Sequence, residues 1–470
     1  MLTLLLLGAA ALLMAVPAAA GGETRAARPS TRSLDISPDR RCLVTPDGRP
    51  FFYLGDTAWE LFHRLTREEA DHYLRDRAAK GFTVIQAVVL AEFDGLHTPN
   101  AYGQVPLADD DPTRPNEAYF QHVDYIVGKA AELGLFVGML PTWGDKVVDR
   151  MWGGGPEIFT PENARVYGEF LGKRYRDRPI IWILGGDRPA DTEEKRAVWR
   201  AMAAGIKAGD GGRHLITYHP FGGHSSSVWL HGEQWLDFNM MQSGHGARHA
   251  PSYDMIARDR ALEPVKPTLD GEPRYEDHSV NWKPDELGWF DERDVRQAVY
   301  WSLLAGGCGI TYGCHDIWQF FDEGREPVTW ARTPWKKALD LPGASQVGHA
   351  RALYDSRPFL QLGPDPSLIA AGQGEGMDHA VAARAHDGSF AFIYLPTGQP
   401  ITIATTRLSG QRLRASWFDP RTGEWTPIGQ SATADARQFT PPSSGWGNDW
   451  VLVLDDAARG YPVGPRPHSH

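Results

Sequence analysis

The run Ile180-Ile181-Trp182-Ile183-Leu184-Gly185-Gly186-Asp187 decides the fold. Its five consecutive apolar residues leave no face for water, which marks a strand buried on both sides. Two glycines then end the strand and place an acid at its carboxyl end. The same unit recurs in both directions. Upstream lie Phe51-Phe52-Tyr53-Leu54 ending at Gly55-Asp56, then Phe82 to Leu90, then Leu135 to Leu140 opening into Pro141-Thr142-Trp143. Downstream lie Leu215 to Tyr218 with His219 at its end, and Phe238 to Met241 followed by Gln242 and His245. Pro267 to Asp270, running into Gly271-Glu272, and Ile310 to Tyr312 complete the series.

Amphipathic helical stretches alternate with these strands. One opens on the capping box Thr66-Arg67-Glu68-Glu69. Another opens on Thr160-Pro161, a cap followed by proline in the first turn. Eight buried strands interleaved with helices predict an α/β protein with a closed (β/α)8 TIM barrel over residues 42–350. A doubly wound open sheet is the alternative. It would usually carry a glycine-rich phosphate loop after its first strand, and Gly55-Asp56-Thr57-Ala58 is not one. In a barrel every strand hands its last residues to one rim, where the active site sits. That rule nominates Asp56, Trp143, Asp187, His219, Gln242, Glu272 and Tyr312 together.

From about residue 358 the texture changes. Short strand-like runs such as Ala391 to Leu395, Leu413 to Phe418 and Trp450 to Leu454 are separated by turns at Asp387-Gly388, Asp419-Pro420 and Thr422-Gly423. This predicts a small antiparallel β-sandwich over 358–458. No low-complexity linker intervenes, so the two domains are expected to pack closely. At the other end, Leu2 to Val16 is apolar apart from Thr3 and runs into Ala18-Ala19-Ala20. It reads as a signal peptide over 1–20, followed by an extension over 21–41. The chain is then exported to the periplasm or the exterior, with no integral membrane span left after signal removal. The stretch lacks the usual basic start, and a single membrane anchor is the alternative.

Among 470 residues, 59 acids against 48 bases give a formal charge of -11. That excludes a nucleic-acid partner that would need a basic face. A mean hydropathy of -0.39 excludes a polytopic membrane protein. The 17 tryptophans suit stacking on sugar rings, but they also fill cores. Trp59, Trp143, Trp282, Trp289 and Trp318 follow strands or sit in rim loops and are candidate platforms, whereas Trp182 and Trp301 read as core. Three cysteines allow at most one intrachain disulfide, and Cys308 and Cys314 read as small buried hydrophobes. No spacing suggests a metal site, and no cofactor is expected.

Two acids stand out by placement. Asp187 emerges from a hydrophobic floor, where desolvation raises a carboxyl pKa. Glu272 has Arg274 and Tyr275 close by, and a neighbouring cation would keep it ionised. One protonated and one ionised carboxyl across a cleft is what glycoside hydrolysis requires. The acid protonates the leaving oxygen, and the other carboxylate activates water or attacks the anomeric carbon. Glu276 competes with Glu272, Asp270 is placed to orient Arg274, and Asp56 is assigned to substrate, as are Trp59, Trp143, His219, Gln242, His245, Arg274 and Tyr312. The partner is an oligosaccharide or polysaccharide. A non-catalytic cell-surface glycan-binding protein is the alternative; it would keep the aromatic rim without needing opposed carboxyls. An esterase or peptidase would want a Ser or Cys beside a His, and none is well placed.

Leu54-Gly55-Asp56-Thr57-Ala58-Trp59, Ile183-Leu184-Gly185-Gly186-Asp187 and Asp270-Gly271-Glu272-Pro273-Arg274-Tyr275-Glu276 resemble glycoside hydrolase family 140. Phe418-Asp419-Pro420-Arg421-Thr422-Gly423 and Asn448-Asp449-Trp450-Val451-Leu452 resemble the sandwich that follows that catalytic domain, labelled collagen-binding in related chains. The resemblance implies a retaining, exo-acting apiosidase type of activity on pectic side chains, with Asp187 matching the acid/base and Glu272 the nucleophile. The wider clan of retaining barrel glycosidases usually has Asn-Glu at strand four; this chain has Gly186-Asp187. The missing amide and the shorter acid point to a small or branched furanose rather than an ordinary glucopyranose.

Overall fold

The computed structural model describes residues 33–148 and 151–464, so the expected signal peptide lies outside the described residues. All eight expected strands are present: β1 (Tyr53–Thr57), β2 (Val84–Leu90), β3 (Phe136–Thr142), β4 (Ile180–Gly185), β5 (Ile216–His219), β6 (Asn239–Gln242), β7 (Thr268–Asp270) and β8 (Gly309–Tyr312). They pair in parallel in the order β5-β4-β3-β2-β1-β8-β7-β6. The β5–β6 seam is bridged by the Thr217 hydroxyl donating to the Phe238 carbonyl at 2.7 Å and by Asp237 N donating to the Ile216 carbonyl at 2.8 Å. The sheet is a nearly closed barrel. Its first strand starts two residues later than expected, because Pro50–Phe51 instead joins a small antiparallel sheet with Asp35–Ile36 and Leu43–Val44.

Helices of nine or more residues wrap the barrel: α1 (Arg67–Ala79), α2 (Glu117–Glu132), α3 (Pro161–Tyr175), α4 (Glu193–Asp210), α5 (Ser252–Arg260), α6 (Glu292–Leu304) and α7 (Pro342–Asp355). The Thr66 capping box forms, and Thr160 caps α3 reciprocally with Asn163. Alternation along each strand sorts side chains into two layers. Val84, Val88, Leu140, Ile181, Ile183 and Met240 fill the barrel, while Ile85, Val137, Met139, Trp182 and Leu184 pack against the helices.

Beyond the barrel, a six-stranded antiparallel sheet runs in the order 362–364, 381–385, 390–395, 450–456, 412–418 and 425–432. A three-stranded sheet of Ile369–Ala371, Ile401–Ile403 and Arg437–Phe439 accompanies it. The six-stranded sheet packs on α6. Arg296 of α6 is paired with Asp449 at 2.7 Å with both side chains buried, and the Tyr300 and Tyr394 rings stack at 4.8 Å. Phe392, Tyr394 and Val453 share one hydrophobic core with Trp301 and Tyr354. Cys42, Cys308 and Cys314 are free thiols. Among the described residues, no helix is long and apolar enough to cross a membrane.

Candidate active site

The carboxyl ends of the strands surround a cavity of about 750 Å³. Six of the expected site residues line it: Trp59, Trp143, Asp187, Gln242, His245 and Glu272. The backbone that presents Asp187 is unusual. Gly185, Gly186 and Asp187 all lie in the left-handed region, with φ of 86°, 110° and 54°. A Cβ on Gly185 would sit 2.4 Å from the His219 carbonyl, and one on Gly186 would sit 2.8 Å from Gly144 N. A side chain such as Asn therefore does not fit at 186 on this backbone. Non-glycine residues adopt such angles at a cost, aspartate less than most.

The two acids meet opposite surroundings. Burial and then the charge of Glu272 push the Asp187 carboxyl up to about 7, with His219, Arg188 and Gln242 offsetting part of the effect. Its side chain keeps 23% exposure because it faces the cavity, but protein encloses it on all other sides. Burial alone would raise Glu272 too, but His219 and His245 outweigh it and hold that carboxyl down at about 2. His245 Nε2 lies 3.1 Å from Glu272 Oε1 in a hydrogen bond. His219 Nε2 approaches Oε2 to 2.8 Å, a close electrostatic contact whose angle is too poor for a hydrogen bond. Asp187 N donates to His219 Nδ1 at 3.2 Å, which leaves the ring proton on Nε2, facing Glu272. The one imidazole thus joins the two acids.

Other groups hold this arrangement from below. The Tyr53 hydroxyl donates to Gln86 Oε1, and Gln86 Nε2 donates to the Gly271 carbonyl, both at 3.0 Å, bracing the turn before Glu272. Asp270 accepts from Ser243 N and Oγ, tying the loop after β6 to β7. Tyr275 lies over Gly313, where a Cβ would come within 1.9 Å of its ring.

Four expected substrate contacts are corrected. Asp56 and Tyr312 are register partners on β1 and β8, and both point outward to the helices. Asp56 accepts from the Tyr73 hydroxyl at 2.5 Å and Arg77 Nε at 2.6 Å, while the Tyr312 hydroxyl donates to Glu276 at 2.6 Å. Strand-end position marked the correct rim, but the alternation of side chains turns these two away from it. Arg274 is buried beneath the site: it donates to the Arg248 carbonyl and to Gln297 Oε1, and it lies over the Trp301 ring. Histidines rather than Arg274 keep Glu272 ionised. Glu276, the competitor, is held by Tyr312 and Gly343 N outside the cavity lining. His219 is fully buried behind Glu272 rather than on the cavity wall.

The aromatic lining is also redistributed. Trp59 and Trp143 are 2% exposed and form the floor, their rings 5.4 Å apart. Trp318 lines the wall, Trp289 sits under Arg332 outside the cavity, and the open faces at the mouth belong to Trp282 and Trp152. Glu92, Trp152, Phe221, Tyr275 and His278 line the cavity without having been singled out. Glu92 lies two residues past β2, where the strand-end rule applied to that strand points; Trp152 and His278 sit in loops with no periodicity to mark them. Among the described residues, no group of His, Cys, Asp and Glu could hold a metal ion.

A parallel barrel with two opposed carboxyls at its carboxyl rim defines a protein of the glycoside-hydrolase class. The chain belongs to the apiosidase-like family: the profile of that catalytic domain matches residues 37–361. Residues 364–455 match a domain whose family name links it to collagen binding in a collagenase. A solved glycoside hydrolase is 34% identical, with a TM-score of 0.85 over 92% of this chain and 99% of its own. A family 5 glycoside hydrolase from Bacteroides vulgatus ATCC 8482 is 33% identical, with a TM-score of 0.86 over 92% of this chain and 96% of its own. A further Bacteroides vulgatus structure described as a glycoside hydrolase shares the fold, at 17% identity and a TM-score of 0.66 over 91% of this chain and 83% of its own. No curated protein matches the chain.

Proposed function

We propose that this protein is a retaining glycosidase of the family 140 type, with Asp187 as acid/base and Glu272 as nucleophile. The observation that carries the reading is one cavity holding two carboxyls with opposite proton affinities, the higher on Asp187 and the lower on Glu272. In the first step the Glu272 oxygen attacks the anomeric carbon. The bond to the leaving oxygen breaks, and that oxygen takes the proton from Asp187. In the second step Asp187, now ionised, removes a proton from water, whose oxygen displaces Glu272 and restores both groups. His219 and His245 stabilise the ionised Glu272 before attack and after release.

The sugar is a terminal apiose-type residue on a pectic side chain. The apiosidase-like family supports this. Action on plant polymers suits an exported chain, in keeping with the apolar N-terminal stretch. The test is incubation of the purified protein with apiose-bearing pectic oligosaccharides, with proton NMR of the released sugar. Free apiose whose first-formed anomer matches the substrate linkage is expected. Release of another sugar would overturn the substrate, and the opposite anomer would overturn retention.

A further inference from the structure

Glu92 is a third carboxyl on the cavity wall, and the mechanism above does not use it. It is 1% exposed. Its Oε2 accepts from Trp152 Nε1 at 2.7 Å, while its Oε1, equally buried, has no hydrogen-bond partner in the protein. A buried polar atom left without a partner is destabilising. The chain just past it is strained as well: Phe93 and Asp94 have φ of 55° and 61°, and for a bulky phenylalanine this is a rare conformation. Such strain concentrates where structure is held for function. Trp152, the partner, is 42% exposed with its ring edge-on to Phe93 at 5.0 Å, which leaves one indole face open to the cavity.

We propose that Glu92 determines specificity: its free oxygen hydrogen bonds a hydroxyl of an uncharged sugar, while its other oxygen fixes Trp152 as a stacking face for that sugar. The inference rests on the glycosidase reading and extends it to the class of sugar bound. Burial, then the charges of Glu60, Asp145 and Asp187, push the Glu92 carboxyl well above its ordinary range, which favours the neutral acid. With Oε2 accepting from the indole, the acid proton sits on Oε1 and is donated to the sugar oxygen. The nearby cations are otherwise engaged: Lys146 binds the Ala91 carbonyl and Asp145, and Arg188, which feels the charge of Glu92, donates to the Val148 and Asp187 carbonyls. Among the described residues lining the cavity there are three carboxyls, Glu92, Asp187 and Glu272, and no Lys or Arg. Beside the ionised Glu272 a uronate would meet like charge and no Lys or Arg among the described lining residues, whereas a neutral sugar would not.

The full chain is compared with E92Q, E92A and W152F on 4-nitrophenyl β-D-apiofuranoside, and on the matched glucopyranoside and glucuronide. Glutamine keeps an acceptor for Trp152 and a donor for the sugar, so E92Q should retain kcat/KM within about threefold. E92A should lose about 10- to 100-fold, and W152F, which keeps an aromatic face but lacks the indole N–H, about 10-fold. E92A within twofold of wild type, E92Q as impaired as E92A, or a glucuronide turned over as well as its glucoside would each overturn the proposal. If E92A does not fold, E92Q and W152F carry the test. If wild type turns over no glycoside, the glycosidase reading fails on its own. Calorimetric binding of D-apiose to wild type and E92A then reads Glu92 separately, and equal affinities overturn the proposal.

Discussion

Replacing Asp187 by Asn should make the protein more stable, and the gain should grow with pH. Asn tolerates the left-handed backbone at this position, so the substitution removes a charge and little else. Raising the Asp187 carboxyl from 3.8 to about 7 means that its ionised form is disfavoured in the folded protein by about 4 kcal/mol. Below pH 3.8 the group is protonated folded or unfolded, and the penalty is absent. As pH rises towards 7 the folded protein keeps a proton that the unfolded chain has released, so stability falls; above 7 the full penalty applies. The same arithmetic leaves roughly 2 kcal/mol of penalty at about pH 5. Partial exposure of the side chain, 23%, screens both figures. The gain for D187N should therefore be about 2 kcal/mol larger at pH 8 than at pH 5. Urea unfolding of the two proteins at both pH values measures it. A gain that is equal at the two pH values, or larger at pH 5, would refute the idea that the fold holds this carboxyl against its own stability.

Turnover needs Asp187 protonated and Glu272 ionised, so kcat/KM should rise through about pH 2 and fall through about pH 7 as the pair titrates. A rate still climbing above pH 8 would contradict the assignment of roles. Ala at Gly186 would bring a Cβ within 2.8 Å of Gly144 N at a φ of 110°. G186A should lose about 1–3 kcal/mol of stability in denaturation and most of its kcat, because Asp187 follows directly. Met at Arg296 leaves Asp449 buried without its cation, and should cost about 3–5 kcal/mol in unfolding. Unchanged stability of R296M would show that the contact between the sandwich and α6 contributes little.

Much of the fold was legible because continuous apolar runs between helical stretches have few other solutions. Ile180 to Leu184 could be read without any partner strand in view. The sandwich is less legible: Trp425–Ala432 is largely exposed and carries little hydrophobic pattern to mark it as a strand. At the site, position along a strand marked Asp187 and Glu272, but the direction in which a side chain points depends on strand parity. Only three positions, an odd step, separate Asp56, locked to Arg77 in the outer layer, from Trp59 at the cavity floor. Arg274 shows the limit of proximity in sequence. It lies two residues from Glu272, but its guanidinium turns down into the packing against α6, and the groups that keep Glu272 ionised come from the ends of β5 and β6. Nothing local in the sequence links His219 or His245 to Glu272; closure of the barrel does.

The central claim is that Glu272 attacks the sugar and Asp187 assists. A fluorinated glycoside with a good leaving group slows the second step and leaves the sugar on the attacking residue. Mass mapping of the labelled, proteolysed protein reads the site directly. One sugar should be added to the peptide containing Glu272 and none to E272Q, which should still fold. A label on Glu276 or Glu92, or full turnover by E272Q, would contradict it.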